Sequence, residues 1–317
     1  MVGAGGLLGS HLAEALPGGA PGTMLWSPGP AGIPWQEPKW ASADLVARAG
    51  AFAEAVRSGP RQWVVAWCAG VGVVGTTAEA LALETSYLDI LLRELGERLS
   101  GLPGRVLLAS SAGGVYGNNP EQPLTEASGC SPISAYGRNK IAQEQLLKAW
   151  AFRQPLASTL IARMSNLYGP GQNLQKPQGL IAHISRSLLH RQPVHLYVPL
   201  DTVRDYLYAA DCAAQLAVGL ERLRTVPGTS VVKIFSAGEP VTIARIIGIF
   251  ARIAKRQPRI ISSADSGRLL QPDRLQFKTA VWRDLAGLAR TDLATGIQRV
   301  HQYQFGLFQQ GQLPPPL

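Results

Sequence analysis

The chain has 317 residues, 46% of them hydrophobic and 16% charged. That is enough apolar material for a sizeable buried core and too much for a disordered segment. The formal net charge of +9 suits an anionic partner, but the basic residues are scattered, without like-charge blocks or interleaved aromatics, so phosphate-bearing small molecules are expected and nucleic acid is not. No apolar run approaches the roughly 18 residues of a membrane span. No HExxH or paired histidine spacing marks a metal centre, and Cys68, Cys130 and Cys212 stand far apart, as reduced thiols of a cytoplasmic protein do.

In chain order, a glycine-rich turn opens at Gly3 and an apolar helical stretch follows over residues 7–16. Residues 23–26 read as a short strand before a Pro/Gly-rich loop over 27–38. A helix is predicted around 45–57, a strand over 63–68, and a helix over 79–99, where Leu88, Leu91, Leu92, Leu95 and Leu99 recur at helical spacing. A strand over 105–109 and a helix over about 135–150 come next. Residues 173–200 hold helical and loop signals, 233–236 read as a strand, and the Pro-rich tail over 311–317 is expected to fray. Strands alternating with helices predict an α/β protein, a parallel sheet with helices on both faces. Only Met1 and Val2 precede the glycine turn, whereas a first strand usually has about five residues; the natural chain is therefore expected to begin upstream.

Three segments carry chemistry. In Gly3-Ala4-Gly5-Gly6-Leu7-Leu8-Gly9, glycines at 3, 6 and 9 permit a tight turn, close approach of backbone to a pyrophosphate, and close helix–strand packing. The helix that follows offers free N–H groups to phosphate. In Tyr136-Gly137-Arg138-Asn139-Lys140, the phenol and the ammonium share one helix face, and a lysine there favours the phenolate and so proton transfer. In Leu108-Ala109-Ser110-Ser111-Ala112-Gly113-Gly114-Val115-Tyr116-Gly117, an apolar strand ends in hydroxyls and glycines, where an open parallel sheet gathers its ligands. Each has an ordinary reading when taken alone: a flexible turn, a solvated helix face, a Ser/Gly turn.

Together they resemble the extended short-chain dehydrogenase/reductases, specifically the NAD-dependent epimerase/dehydratase family acting on nucleotide sugars. The resemblance continues through Pro123-Leu124-Thr125-Glu126, through Arg163-Met164-Ser165-Asn166-Leu167-Tyr168-Gly169-Pro170 (RxxNxYGP), through Val203-Arg204-Asp205-Tyr206-Leu207-Tyr208-Ala209-Ala210-Asp211 (RDYxYxxD), and through Phe235-Ser236-Ala237-Gly238-Glu239. It implies a Rossmann doubly wound sheet over residues 1–170 and a smaller C-terminal α/β substrate lobe over 171–317, with 205–236 returning to the first domain. It also implies Tyr136 as catalytic acid/base, Lys140 on the nicotinamide ribose, and Ser111 on the sugar oxygen. Gly3, Gly6, Leu7, Leu8 and Gly9 would cradle the pyrophosphate of NAD or NADP, Asp44 and Leu45 would reach the adenine, and Ala69 would line the cofactor with backbone. Asn166, Asn173 and Arg204 would contact a nucleotide-diphosphate sugar. A homodimer is the usual assembly of such proteins.

The chain departs from the family in two ways that matter. Many relatives place the catalytic hydroxyl four residues before the tyrosine of VYG, where this chain has Ala112, with Ser111 one step earlier. The second strand ends Trp26-Ser27-Pro28, with neither the acid that binds the ribose of NAD nor an arginine for the phosphate of NADP. Members that eliminate water carry an Asp-Glu pair before VYG, and here stand Gly113 and Gly114. An epimerase working through a transient keto-sugar is the expectation; an NADPH-dependent keto-sugar reductase and a non-catalytic dinucleotide sensor are the alternatives.

Overall fold

The protein is described by a computed structural model over residues 1–16, 26–29, 31–70, 72–73, 75–175, 179–262 and 272–316. The glycine turn feeds α1 (Leu7–Ala15). α2 (Pro38–Ser58) starts well before the predicted helix because Pro38 sits in its first turn, where the missing N–H is no loss. Then come β1 (Trp63–Trp67), α3 (Ala78–Arg98), β2 (Gly104–Ser111), the short α4 (Ala112–Tyr116), α5 (Ala135–Phe152) and β3 (Ala157–Met164). Thr77, Ser111 and Ser134 cap α3, α4 and α5 through their side-chain oxygens, satisfying N–H groups that a helix start leaves open.

The second half holds β4 (Asn166–Tyr168), α6 (Leu180–Leu189), β5 (Val194–Leu196), β6 (Val203–Tyr208), α7 (Ala209–Leu223), β7 (Ser230–Phe235), β8 (Pro240–Thr242), α8 (Ile243–Ile253), β9 (Ile260–Ser262) and α9 (Leu293–Gln309). β1, β2, β3 and β7 form one sheet in that order, every pair parallel. Val2 takes the first-strand place with a single parallel bridge to Trp67: its N–H donates to the Ala66 carbonyl and its own carbonyl accepts from Cys68, both at 2.9 Å.

Alternation along the strands builds a core on each face of this sheet. Val65, Trp67, Val106 and Leu108 pack with Leu45 of α2, Leu88, Leu91 and Leu92 of α3, and Leu147 and Trp150 of α5. Ala66, Leu107 and Leu160 face the other way, onto Leu8 and Leu12 of α1 and Leu216 and Leu220 of α7. Helices on both faces of a parallel sheet make this the Rossmann doubly wound arrangement. A separate core joins α6, α8 and α9 through Ile181, Ile184, Ile246, Phe250 and Ile297, beside the small sheet β4–β6–β8. The chain from β6 passes back through α7, which packs on α1, and through β7 in the main sheet.

Two expectations need correction or placement. Leu313 of the tail is buried at 6% exposure, so its apolar side chain anchors a segment that composition marks as frayed. Of the predicted strand over 23–26, residues 23–25 lie outside the described residues; Trp26 has no regular structure and packs edge-on against Phe52, ring centroids 5.4 Å apart.

Candidate active site

The carboxyl ends of Val2, β1 and β2 and the start of α1 meet at one edge of the main sheet. Gly3 has φ +89°, and a Cβ there would lie 2.5 Å from the Ala69 nitrogen, so the turn sits directly on the backbone that leaves β1. A Cβ on Gly9 would fall 2.1 Å from the Gly3 carbonyl oxygen. Gly6 is the N-cap of α1 and offers no side-chain cap. The first N–H groups of the helix therefore face out of the turn with its positive dipole end, a cradle for an anion.

Tyr136 lies in the first turn of α5. The helix approaches α4 so closely that a Cβ on Gly137 would be 2.1 Å from the Gly114 carbonyl oxygen. This contact seats the phenol ring between two glycines: Cβ atoms on Gly114 and Gly72 would stand 3.1 Å and 3.2 Å from its carbons. Ser111 Oγ would be 3.3 Å from the same point above Gly114, so the hydroxyl beside Tyr136 belongs to Ser111. Ala112 is fully buried in the small cluster with Val115, Tyr116 and Leu124 and faces away. Ser111 Oγ accepts from the Gly114 N–H at 3.1 Å, which leaves its own hydrogen to donate.

Lys140 Nζ stands 5.7 Å from the Tyr136 ring centre. It is held by two groups that inspection of motifs alone misses: Glu84 Oε1 at 3.2 Å and Gln143 Oε1 at 3.0 Å. Burial works to lower the Lys140 ammonium, but Tyr136 and Glu84 outweigh it and raise it above the usual lysine range. One turn further on, Glu144 accepts from Ser110 Oγ at 2.6 Å and from Arg163 Nε at 2.9 Å. Arg163 in turn donates to Tyr116 Oη at 2.5 Å. The signal for these acids was available: Glu84 interrupts the apolar face of α3, and Glu144 follows Tyr136 and Lys140 at the same helical spacing.

The other expected contacts scatter. Asp44 lies inside α2 with its carboxylate 2.7 Å from Arg48 Nε. Leu45 is 2% exposed and packs in the core between α2 and α3. Asn166 is exposed on β4, and exposed Asn173 accepts through Oδ1 from the Gln175 N–H at 2.9 Å. Arg204 is 8% exposed and donates to the Val203 carbonyl at 2.9 Å; it makes no ion pair among the described residues. Its neighbour Asp205 accepts from the N–H groups of Ala237 and Gly238 at 2.9 and 2.8 Å, which fastens the RDYxYxxD segment to the late glycine turn.

The chain is 27% identical over 143 residues to the dTDP-4-dehydro-6-deoxyglucose reductase of Escherichia coli, covering 45% of this chain and 43% of that one. It is 37% identical over 94 residues to the dTDP-L-rhamnose 4-epimerase of Burkholderia thailandensis, covering 29% and 25%. The matched segments thus span less than half of these curated relatives. Among solved structures, MoeE5 in complex with UDP-glucose and NAD superposes with a TM-score of 0.77 at 22% identity, over 97% of this chain and 98% of that one. Residues 1–234 match the NAD dependent epimerase/dehydratase family, and the chain belongs to that family.

Proposed function

We propose that the protein is an NAD(P)-dependent nucleotide-sugar epimerase working through a transient keto-sugar, with residues 1–170 holding the cofactor and 171–317 mainly the substrate. The observation that carries the reading is the placement of Tyr136: above Ser111, one turn from Lys140, at the sheet edge where the glycine turn lies. That turn fits a dinucleotide, because Cβ atoms at Gly3 and Gly9 would collide with backbone and the start of α1 is uncapped. Gly3, Gly6, Leu7, Leu8 and Gly9 would hold the pyrophosphate, Ala69 the adjoining nucleoside, and Lys140 the ribose. Bound there, the dinucleotide supplies the acceptor and donor of hydride.

The chain's own residues manage the proton. Tyr136 Oη takes the proton from the sugar hydroxyl as its carbon is oxidised and returns it when the ketone is reduced on the other face. Ser111 donates to that same oxygen and steadies it in both states. Lys140 stabilises the phenolate, and Arg204 offers a planar fork to the diphosphate. Elimination of water is disfavoured, since Gly113 and Gly114 provide no carboxylate and a Cβ at Gly114 would press on the Tyr136 ring.

The test is to identify the nucleotide that co-purifies and then to incubate the protein with UDP-, dTDP- and GDP-sugars. Bound NAD, with an epimer formed and no net cofactor consumed, establishes the reading. An empty site and stoichiometric NADPH oxidation by a keto-sugar would assign the reductase instead, the activity named for the Escherichia coli relative. We further propose a homodimer, to be checked by light scattering; a monomer at every concentration would refute it.

A further inference from the structure

α3 turns an apolar face to the core, with Leu81, Leu88, Leu91, Leu92 and Leu95 all buried, and Glu84 lies on that face at 6% exposure. A carboxylate there is costly unless paired. Glu84 has three partners: Lys140 Nζ at 3.2 Å, Gln143 Nε2 at 3.0 Å and the Gly72 N–H at 3.2 Å. The last places it against the chain that leaves β1 beside the glycine turn. Tyr136 and Glu84 flank Gly72, for a Cβ on Gly72 would lie 3.2 Å from Tyr136 Cδ2 and 3.3 Å from Glu84 Oε2.

We propose that Glu84 is a positioning residue that pins the Lys140 ammonium beside Tyr136, ties it to the backbone at Gly72, and supplies the counter-charge that burial of this cation requires. The proposal rests on the reading of Tyr136 and Lys140 given above. The other groups facing Lys140 do not take this part. On α5, Glu144 is bound to Arg163 of β3 and Ser110 of β2. At the end of β1, burial pushes the Cys68 thiol up to about 12, so it is neutral. Beyond it the Met1 ammonium is lowered by burial, and on α4 Tyr116 is hydrogen-bonded to Arg163. Burial works to raise the Glu84 carboxyl, but Lys140, Gln143 and Gly72 outweigh it and hold it below the usual range. Glu84 is therefore ionised at neutral pH.

The experiment follows Lys140 directly, by NMR of isotope-labelled lysine in the full chain without substrate, with the signal assigned by its loss in Lys140→Met. In Glu84→Gln, burial is opposed by Tyr136 without the Glu84 charge, and the Lys140 titration midpoint falls by about one pH unit or more; in Glu84→Asp it returns most of the way. In turnover, the alkaline limb of the pH profile moves down with it. A Lys140 midpoint unchanged in Glu84→Gln would overturn the proposal. If Glu84→Gln does not fold, the pair Glu84→Gln with Lys140→Met decides: recovery of folding in the double variant supports compensation of a buried charge, and no recovery overturns it. Loss of turnover in Tyr136→Phe together with an unmoved Lys140 midpoint sinks only the role of Glu84. Full turnover in Tyr136→Phe sinks the catalytic reading itself, whatever Lys140 does.

Discussion

Replacing Gly9 by alanine drives a methyl group into the turn that precedes α1. The new Cβ would stand 2.1 Å from the Gly3 oxygen, 2.8 Å from its carbonyl carbon and 2.9 Å from Ala4 Cα, all of them backbone. The turn has little room to retreat. Gly3 already lies against Cys68 and Ala69, and the Gly6 N–H bonds the Gly3 carbonyl at 3.1 Å. Overpacking of this kind costs about 3 kcal/mol at the upper end of its range, and alanine's better helix propensity offsets about 1 kcal/mol. The net is about 2 kcal/mol of destabilisation. Gly5→Ala is the control: nothing lies within 4 Å of its Cβ, so its effect stays within about 0.5 kcal/mol. Urea unfolding without nucleotide, followed by tryptophan fluorescence, should place Gly9→Ala roughly 0.5–1 M below the parent with an unchanged slope. NAD binding should weaken in parallel. A Gly9→Ala midpoint equal to that of Gly5→Ala would refute the close-packed turn, and with it the fit to a pyrophosphate.

Three further outcomes follow from named contacts. Tyr136→Phe should lower turnover by about 10²–10⁴-fold while leaving the urea midpoint in place, because no hydrogen bond to its hydroxyl is lost among the described residues. Arg163→Met leaves Glu144, 2% exposed, buried without its cation and should cost about 3–5 kcal/mol; a double-mutant cycle with Glu144→Leu should recover part of that loss, and strict additivity would count against the pairing. Glu126 is held below the usual carboxyl range: burial works to raise it, but bonds from Thr279, Ala280 and Ile234 outweigh that. Its stabilisation is present above the ordinary carboxyl value of about 4.5 and is lost as pH falls through its lower folded value. The stability gap between the parent and Glu126→Gln should therefore narrow on acidification below about 4.5; a gap independent of pH would contradict the bonds.

The elements that were legible were those whose pattern is local. The apolar run of β1 and the leucine spacing of α3 announce a strand and a helix without help from the rest of the chain. β3 carries no such local pattern, although all eight of its residues are buried. Its two faces are covered by α5 and α7, so it has no alternation, and Ser158 and Thr159 give it a polar start whose bonds to Val226 and Ser230 lie about seventy residues away. α8 is ambiguous for the opposite reason: its isoleucines at 243, 246, 247, 249 and 253 suit a strand as well as a helix over so short a span. In the site, the Tyr136–Lys140 pair is visible because it lies within one helical turn. Glu84 is not, because its partner is 56 residues distant. Only its place among leucines of α3 marks it as a charge that must find one.

α5 shows why these distant contacts matter to the chemistry. Buried Glu144 and Lys140 and half-buried Tyr136 follow one another at successive turns toward the helix start, on one side of the helix. Glu144 is fastened to the sheet through Arg163, Lys140 to α3 through Glu84, and Gly137 is pressed onto Gly114. Sliding or rotating α5 would break two buried ion pairs and force backbone into backbone, so the helix has one seat. Tyr136, last in the stripe, inherits that rigidity without contributing to it: its ring is wedged between Gly72 and Gly114, and its hydroxyl is unbonded among the described residues. It also lies in the first turn, where the helix dipole favours a developing negative charge. A group held this firmly by its neighbours, with its reactive atom left unpaired, needs no reorganisation when a substrate hydroxyl arrives. Under the proposed function, that separation of duties is the physical reason the proton-transfer role falls to half-buried Tyr136 and not to Tyr116, which is fully buried and hydrogen-bonded to Arg163.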